Sequence, residues 1–210
     1  MVYLSIISTY SIVIPSVVGL FVLAEPIISL IFQRGAFDAR STMITAGALR
    51  WYSISLIGHV LYMLLTRYYY AKGDMKTPIR LVILQVIFDV PLNYLLSSII
   101  GLNGLALSTY IGIIVRGIYG YYAFKKDMRE GFDKKFLIDI LKLSMASLIM
   151  GLVSYIVYVL FRARSFYLSI FLSIILAILT FMIIVTKMKI KEIDDLLEAF
   201  KNRLKKTFKK

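Results

Sequence analysis

Gln85, Asp89 and Asn93 recur at intervals of four inside an apolar stretch spanning 77–100. Spacing of four sets all three on one face of a helix. The stretch is long enough to cross a bilayer, so Asp89 lies near mid-depth, where a buried charge costs several kcal/mol. A carboxylate persists there only with compensation from a cation, a proton or an arginine. The chemistry on offer is therefore the binding or movement of charge within a membrane.

The next apolar stretch, 104–124, carries Leu105, Thr109, Gly112 and Arg116 on one helical stripe. A tight turn through Gly101, Leu102, Asn103 and Gly104 makes the two stretches a hairpin, and Gly112 lets their backbones approach closely. A midpoint between Leu102 and Asn103 puts Asp89 level with Arg116. Three readings of the stripe follow. Asp89 and Arg116 form a buried ion pair that locks the hairpin. Alternatively Asp89 and Asn93 donate oxygens to a cation, with the Thr109 hydroxyl and a backbone carbonyl at Leu105. Sodium suits that all-oxygen shell, and Pro91, lacking an N–H, leaves the Ile87 carbonyl free beside it. In the third reading Asp89 is solvated or carries a proton. His59, mid-way along another span, reads as a helix-packing histidine before it reads as a proton shuttle. Arg34 and Arg50 fall near the opposite face from most cations and could touch lipid headgroups or an anionic cargo.

The elements that must position these residues are membrane spans. The chain is 60% hydrophobic over 210 residues, well above a soluble domain. Six apolar segments approach the ~20 residues that a bilayer requires: 3–24, 45–70, 77–100, 104–124, 136–161 and 166–186. The segment 26–32 is too short to cross and reads as an interfacial helical turn. A loop at 125–135 separates the first four spans from the last two. The tail, 187–210, alternates apolar residues with lysines and reads as a basic amphipathic helix on the inner leaflet. Of 25 Lys and Arg residues, eighteen flank one side of the spans and five the other, which predicts both termini in the cytoplasm. The formal net charge of +13 lies between and after the spans, so anionic headgroups rather than nucleic acid are the partner it implies. There are no cysteines and one histidine, which excludes disulfides, thiolate sites and multi-His metal clusters. No Ser/His/Asp set or phosphate-cradling glycine loop occurs, so the chain does not read as an enzyme.

Four blocks in order carry a resemblance: Ile31-Phe32-Gln33-Arg34-Gly35-Ala36-Phe37, Ala48-Leu49-Arg50-Trp51-Tyr52, the loop Tyr70 to Pro78, and Gly104-Leu105-Ala106-Leu107-Ser108. Together they resemble the MurJ (MviN) family of lipid II flippases, in the multidrug/oligosaccharidyl-lipid/polysaccharide exporter superfamily. The resemblance is close over about residues 10–125 and rests on hydropathy for the last two spans.

It implies an all-α polytopic protein of the cytoplasmic membrane, equivalent to the last six helices of a fourteen-helix fold. It also implies a role in peptidoglycan biosynthesis, cell wall biogenesis and cell shape. The implied cargo is a lipid-linked oligosaccharide precursor, moved across the membrane by alternating access. The family's cavity arginines and acidic residue belong to helices not found here. The expectation is thus a fragment, or a chain partnered by the N-terminal helices, or an inactive remnant. A sodium site of the family maps onto Asp89 and Asn93 in the eleventh helix, with the Asn/Asp order exchanged, and onto Leu105 and Thr109 in the twelfth. A further acidic ligand would come from a helix outside this chain. The last two spans match the helices that form the family's groove for a polyprenyl tail. The alternatives are a polysaccharide-lipid exporter of the same superfamily or a truncated, non-transporting membrane protein.

Overall fold

A computed structural model describes residues 2–128 and 134–188, and among them every regular element is helical. The helices are α1 (Val2–Val22), α2 (Ala24–Phe32), α3 (Ala39–Ala71), α4 (Lys76–Ile100), α5 (Leu102–Met128), α6 (Lys134–Phe161) and α7 (Phe166–Lys187). All but α2 are long and apolar enough to cross a membrane. The six expected spans are therefore present, with ends displaced by a few residues. The expected tail helix falls beyond the described residues.

Local chemistry explains the ends. Pro26 lacks the N–H that would reach the Val22 carbonyl, so the ladder breaks there and α1 gives way to α2. Glu25 in the first turn of α2 suits the positive end of its dipole. The second span was expected to start at 45, yet α3 starts at Ala39 because Asp38 caps it, accepting from the Ser41 N–H at 2.8 Å. Asp74 performs the same service for α4, accepting from the N–H groups of Lys76 and Thr77 at 2.9 and 3.0 Å and from the Thr77 hydroxyl at 2.6 Å. Ser165 caps α7.

Two helix groups meet along α1 and α3. In one, α5 packs on both α3 and α4; in the other, α6 packs on α1 and α7. The main core lies where they join, with Ile6, Ile7, Val60, Leu64, Leu143 and Val185 buried together. Tyr10 stitches the groups by donating its hydroxyl to the Ile57 carbonyl at 2.8 Å. Small residues allow the close approaches: a Cβ on Gly58 would lie 2.6 Å from Ile113 Cγ2, and one on Gly151 would lie 2.5 Å from Val18 Cγ1. Serines of α6 and α7 are buried at Ser147, Ser154, Ser169 and Ser173, consistent with packing through small residues. α4 is the least covered helix, with only Pro78 and Leu81 buried.

Candidate functional site

The α4–α5 hairpin turns at Gly101, whose φ of +60° is open to glycine without steric cost. α4 ends one residue before it and α5 begins one residue after it. This centres the hairpin earlier than a midpoint between Leu102 and Asn103, and the facing register moves by about one turn. Gly104 therefore sits directly on the backbone of Leu96 and Ser97, with no room for a Cβ. Asp89 meets Gly112 in place of Arg116, and a Cβ on Gly112 would overlap Asp89 Oδ1. Asn93 meets Ser108, whose hydroxyl bonds Asn93 Oδ1 and also lies 2.8 Å from the Leu105 carbonyl.

The expected ion pair between Asp89 and Arg116 is thus not formed among the described residues. Gln85 donates its Nε2 to Asp89 Oδ2 at 2.8 Å, while Asp89 Oδ1 is buried without a hydrogen-bond partner. Arg116, only 5% exposed, turns to α3. Its guanidinium carbon stacks 3.8 Å from the centroid of the Tyr62 ring, and Nη2 lies 3.3 Å from His59 Nδ1. A guanidinium can only donate, so His59 Nδ1 is the acceptor in this contact. Arg116 Nε is buried and unpartnered. A polar stripe thus runs through the hairpin with two orphaned polar atoms, one on the Asp89 carboxyl group and one on the Arg116 guanidinium.

As a cation site the donor set fits in part. Asp89 Oδ1 is a carboxyl oxygen with no donor on it, and Asn93 and Ser108 add neutral oxygens one turn along. The Leu105 carbonyl accepts from the Thr109 hydroxyl at 3.1 Å and competes with Asn93 Oδ1 for the single Ser108 proton, so it is already engaged. Thr109 and Leu105 are bonded to each other, and neither shares a hydrogen bond with Asp89. Ser108 and Tyr62 are the members that reading the sequence missed. Ser108 was within reach of it, since it lies one turn before Gly112 and inside the Gly104–Ser108 block. Tyr62 was not, because it depends on how α3 packs.

The remaining sequence candidates are separate from this stripe. Arg34 is exposed in the turn after α2. Arg50 on α3 donates its Nε to the Phe21 carbonyl at 3.4 Å. At the Lys- and Arg-rich end, Asp127 accepts from Lys72 Nζ at 2.6 Å and from the Tyr68 hydroxyl at 2.7 Å. The bond to Asp127 holds the Lys72 ammonium above its ordinary range. The Thr77 hydroxyl, followed by its N–H, holds the Asp74 carboxyl below the usual carboxylate range.

Comparison with known proteins adds a family to this geometry. The sequence model of the family described as lipid II flippase MurJ matches residues 3–188. A probable lipid II flippase MurJ of Thermotoga maritima is 31% identical over 184 residues, covering 88% of this chain and 37% of the relative. A lipid II flippase MurJ of Burkholderia cenocepacia is 34% identical over 118 residues, covering 56% of this chain and 23% of the relative. A solved structure of lipid II flippase MurJ in an inward closed conformation superimposes with a TM-score of 0.76 at 27% identity. It covers 91% of this chain and 38% of that structure. The chain therefore spans less than two fifths of the length of these relatives.

Proposed function

The chain belongs to the lipid II flippase MurJ family, and from that premise we propose that it forms the C-terminal six-helix portion of a flippase for lipid-linked peptidoglycan precursor. The family match across nearly all of the described residues carries this reading. The fourteen-helix context, the cytoplasmic placement of both ends and the inner-to-outer direction of transport are parts of the same proposal. The substrate cavity is assigned to helices outside this chain. The lobe formed here contributes one wall of a pair that rocks in alternating access.

Within that lobe, the α4–α5 stripe is the coupling element of the proposal. Asp89, with Asn93 and Ser108, would hold a monovalent cation such as sodium, supplying a charge that neutralises the carboxylate at mid-depth. Asp89 Oδ1 supports this, because a buried anionic oxygen without a donor is costly to leave unmatched. Arg116 is held apart on Tyr62 and His59 and does not supply that charge through contact. Thr109 and the Leu105 carbonyl, bonded to each other, act as the outer support of the stripe. Movement of one charge through the membrane potential is worth ~2.3 kcal/mol per 100 mV, enough to bias two conformations. No catalytic role is assigned to any residue.

A chimera tests the function. Residues 3–188 would replace the matching segment of the Thermotoga maritima relative in a strain depleted of its lipid II flippase. Restored growth is expected. A chimera that inserts at normal levels yet restores no growth would favour a polysaccharide-lipid exporter or a non-transporting protein.

A further inference from the structure

At the Lys- and Arg-rich end, α3, α4 and α5 surround an open cleft of about 530 Å³ that the stripe does not reach. Arg80 of α4 and Lys126 of α5 line it, with the rings of Tyr119 and Tyr122 and the hydroxyl-bearing Tyr69 of α3. Two carboxylates stand at its edge, and both are committed. Asp127 accepts from Lys72 and Tyr68, and Asp74 caps α4. Arg80 and Lys126 have no carboxylate within ion-pair distance among the described residues. Tyr69, a lining residue only 3% exposed, has a buried hydroxyl with no hydrogen-bond partner.

A guanidinium, an ammonium and a phenol thus line one cleft, and the two carboxylates in its wall, Asp74 and Asp127, are already engaged by other donors. Hydroxyl and cation together call for an anion with several oxygens, which is the chemistry of a phosphate. The aromatic walls, and the exposed Ile79 and Ile83 on either side of Arg80 along α4, call for an apolar body attached to it. Basic pockets between spanning helices at the positively charged membrane face are suited to anionic headgroups. The volume falls within the range of small-ligand sites. We propose that this cleft binds the phosphodiester of an anionic phospholipid of the adjoining leaflet, with Arg80 and Lys126 on the phosphate oxygens and Tyr69 donating to one of them. The assignment is independent of what the protein transports.

The test counts lipids retained by the purified chain in native mass spectrometry, after mixing with equal amounts of phosphatidylglycerol and phosphatidylcholine. The intact chain should retain phosphatidylglycerol with a preference of about thirtyfold, the size expected of two cations near a headgroup. Arg80→Gln/Lys126→Gln should abolish the preference. Tyr69→Phe should weaken it severalfold while thermal melting stays unchanged, separating lost binding from lost folding. Lys76→Gln/Lys125→Gln removes the same charge from the same end outside the cleft and should keep the preference. Equal loss in that control would overturn the site in favour of diffuse surface attraction. Full displacement of the lipid by millimolar inorganic phosphate would overturn the lipid assignment in favour of a free-phosphate site.

Discussion

Two places in this molecule pair an aspartate with a cation and an aromatic ring, and they resolve the pairing in opposite ways. At the membrane rim, Asp127 takes Lys72 and Tyr68 directly, and Lys72 also lies 5.2 Å from the centroid of the Tyr68 ring. In the middle of the α4–α5 hairpin, Asp89 keeps one oxygen bare while Arg116 lies on Tyr62. Water would have solvated the rim groups in any case, so their pairing contributes little. The interior groups stand where an unmatched charge is most expensive, and there the pair stays open. That open pair is what the proposed cation would complete. The rim pair is closed within the protein, and the hairpin pair is not.

The strongest way to break this contrast is to disturb the register that keeps Asp89 from Arg116. Gly104→Ala would drive a Cβ into the Leu96 backbone, which cannot yield without opening the hairpin. Overpacking of this kind costs about 1–3 kcal/mol and should lower the thermal melting midpoint clearly. Gly117→Ala, with nothing within 4 Å of the added carbon, should leave the midpoint unchanged or raise it. Equal destabilisation by both would mean that the hairpin contact does not set the register.

Next in size is the ring that holds Arg116. Tyr62→Leu should cost about 2 kcal/mol, the upper end for a desolvated cation on an aromatic face. Tyr62→Phe keeps the face and should cost much less, as read by denaturant unfolding in detergent. If the two variants behave alike, Arg116 is not held by the ring.

The rim should respond least. Lys72→Gln removes an exposed pair and should leave the melting midpoint within replicate error. Asp74 adds a small acid sensitivity with a definite sign. Its folded-state pKa is lowered, so its contribution is present above the ordinary carboxylate pKa and is lost as pH falls through the depressed native value. Asp74→Asn should flatten that acid limb slightly in a pH series of thermal melts.

Much of this was legible from residues alone. The six spans needed only apolar length, and the hairpin needed only Gly101 and Gly104 between two such lengths. The α3 extension to Ala39 was also written in the chain, since Asp38 is a good cap, but hydropathy stops short of a polar first turn. The register was not legible to within a turn, because four loop residues, Gly101 to Gly104, do not say which of them is the bend. The positive φ at Gly101 decides it. The partner of Arg116 was out of reach for a different reason. A buried guanidinium takes whatever a neighbouring helix offers, and the face that α3 offers depends on how Gly58 lets α5 approach. Local patterns therefore placed the polar residues on their helices and left open which of them touch.

The central claim is that Asp89 is a receiving anion and not half of a lock. Thermal melting of the chain in sodium and in potassium at equal ionic strength, for the intact chain and for Asp89→Asn, tests it most directly. A receiving Asp89 predicts a higher midpoint in sodium for the intact chain. It also predicts no sodium effect in the variant, and a variant midpoint in potassium close to that of the intact chain. The account is contradicted if Asp89→Asn is strongly destabilised in both salts and sodium has no effect on the intact chain, because that is how a broken buried ion pair behaves.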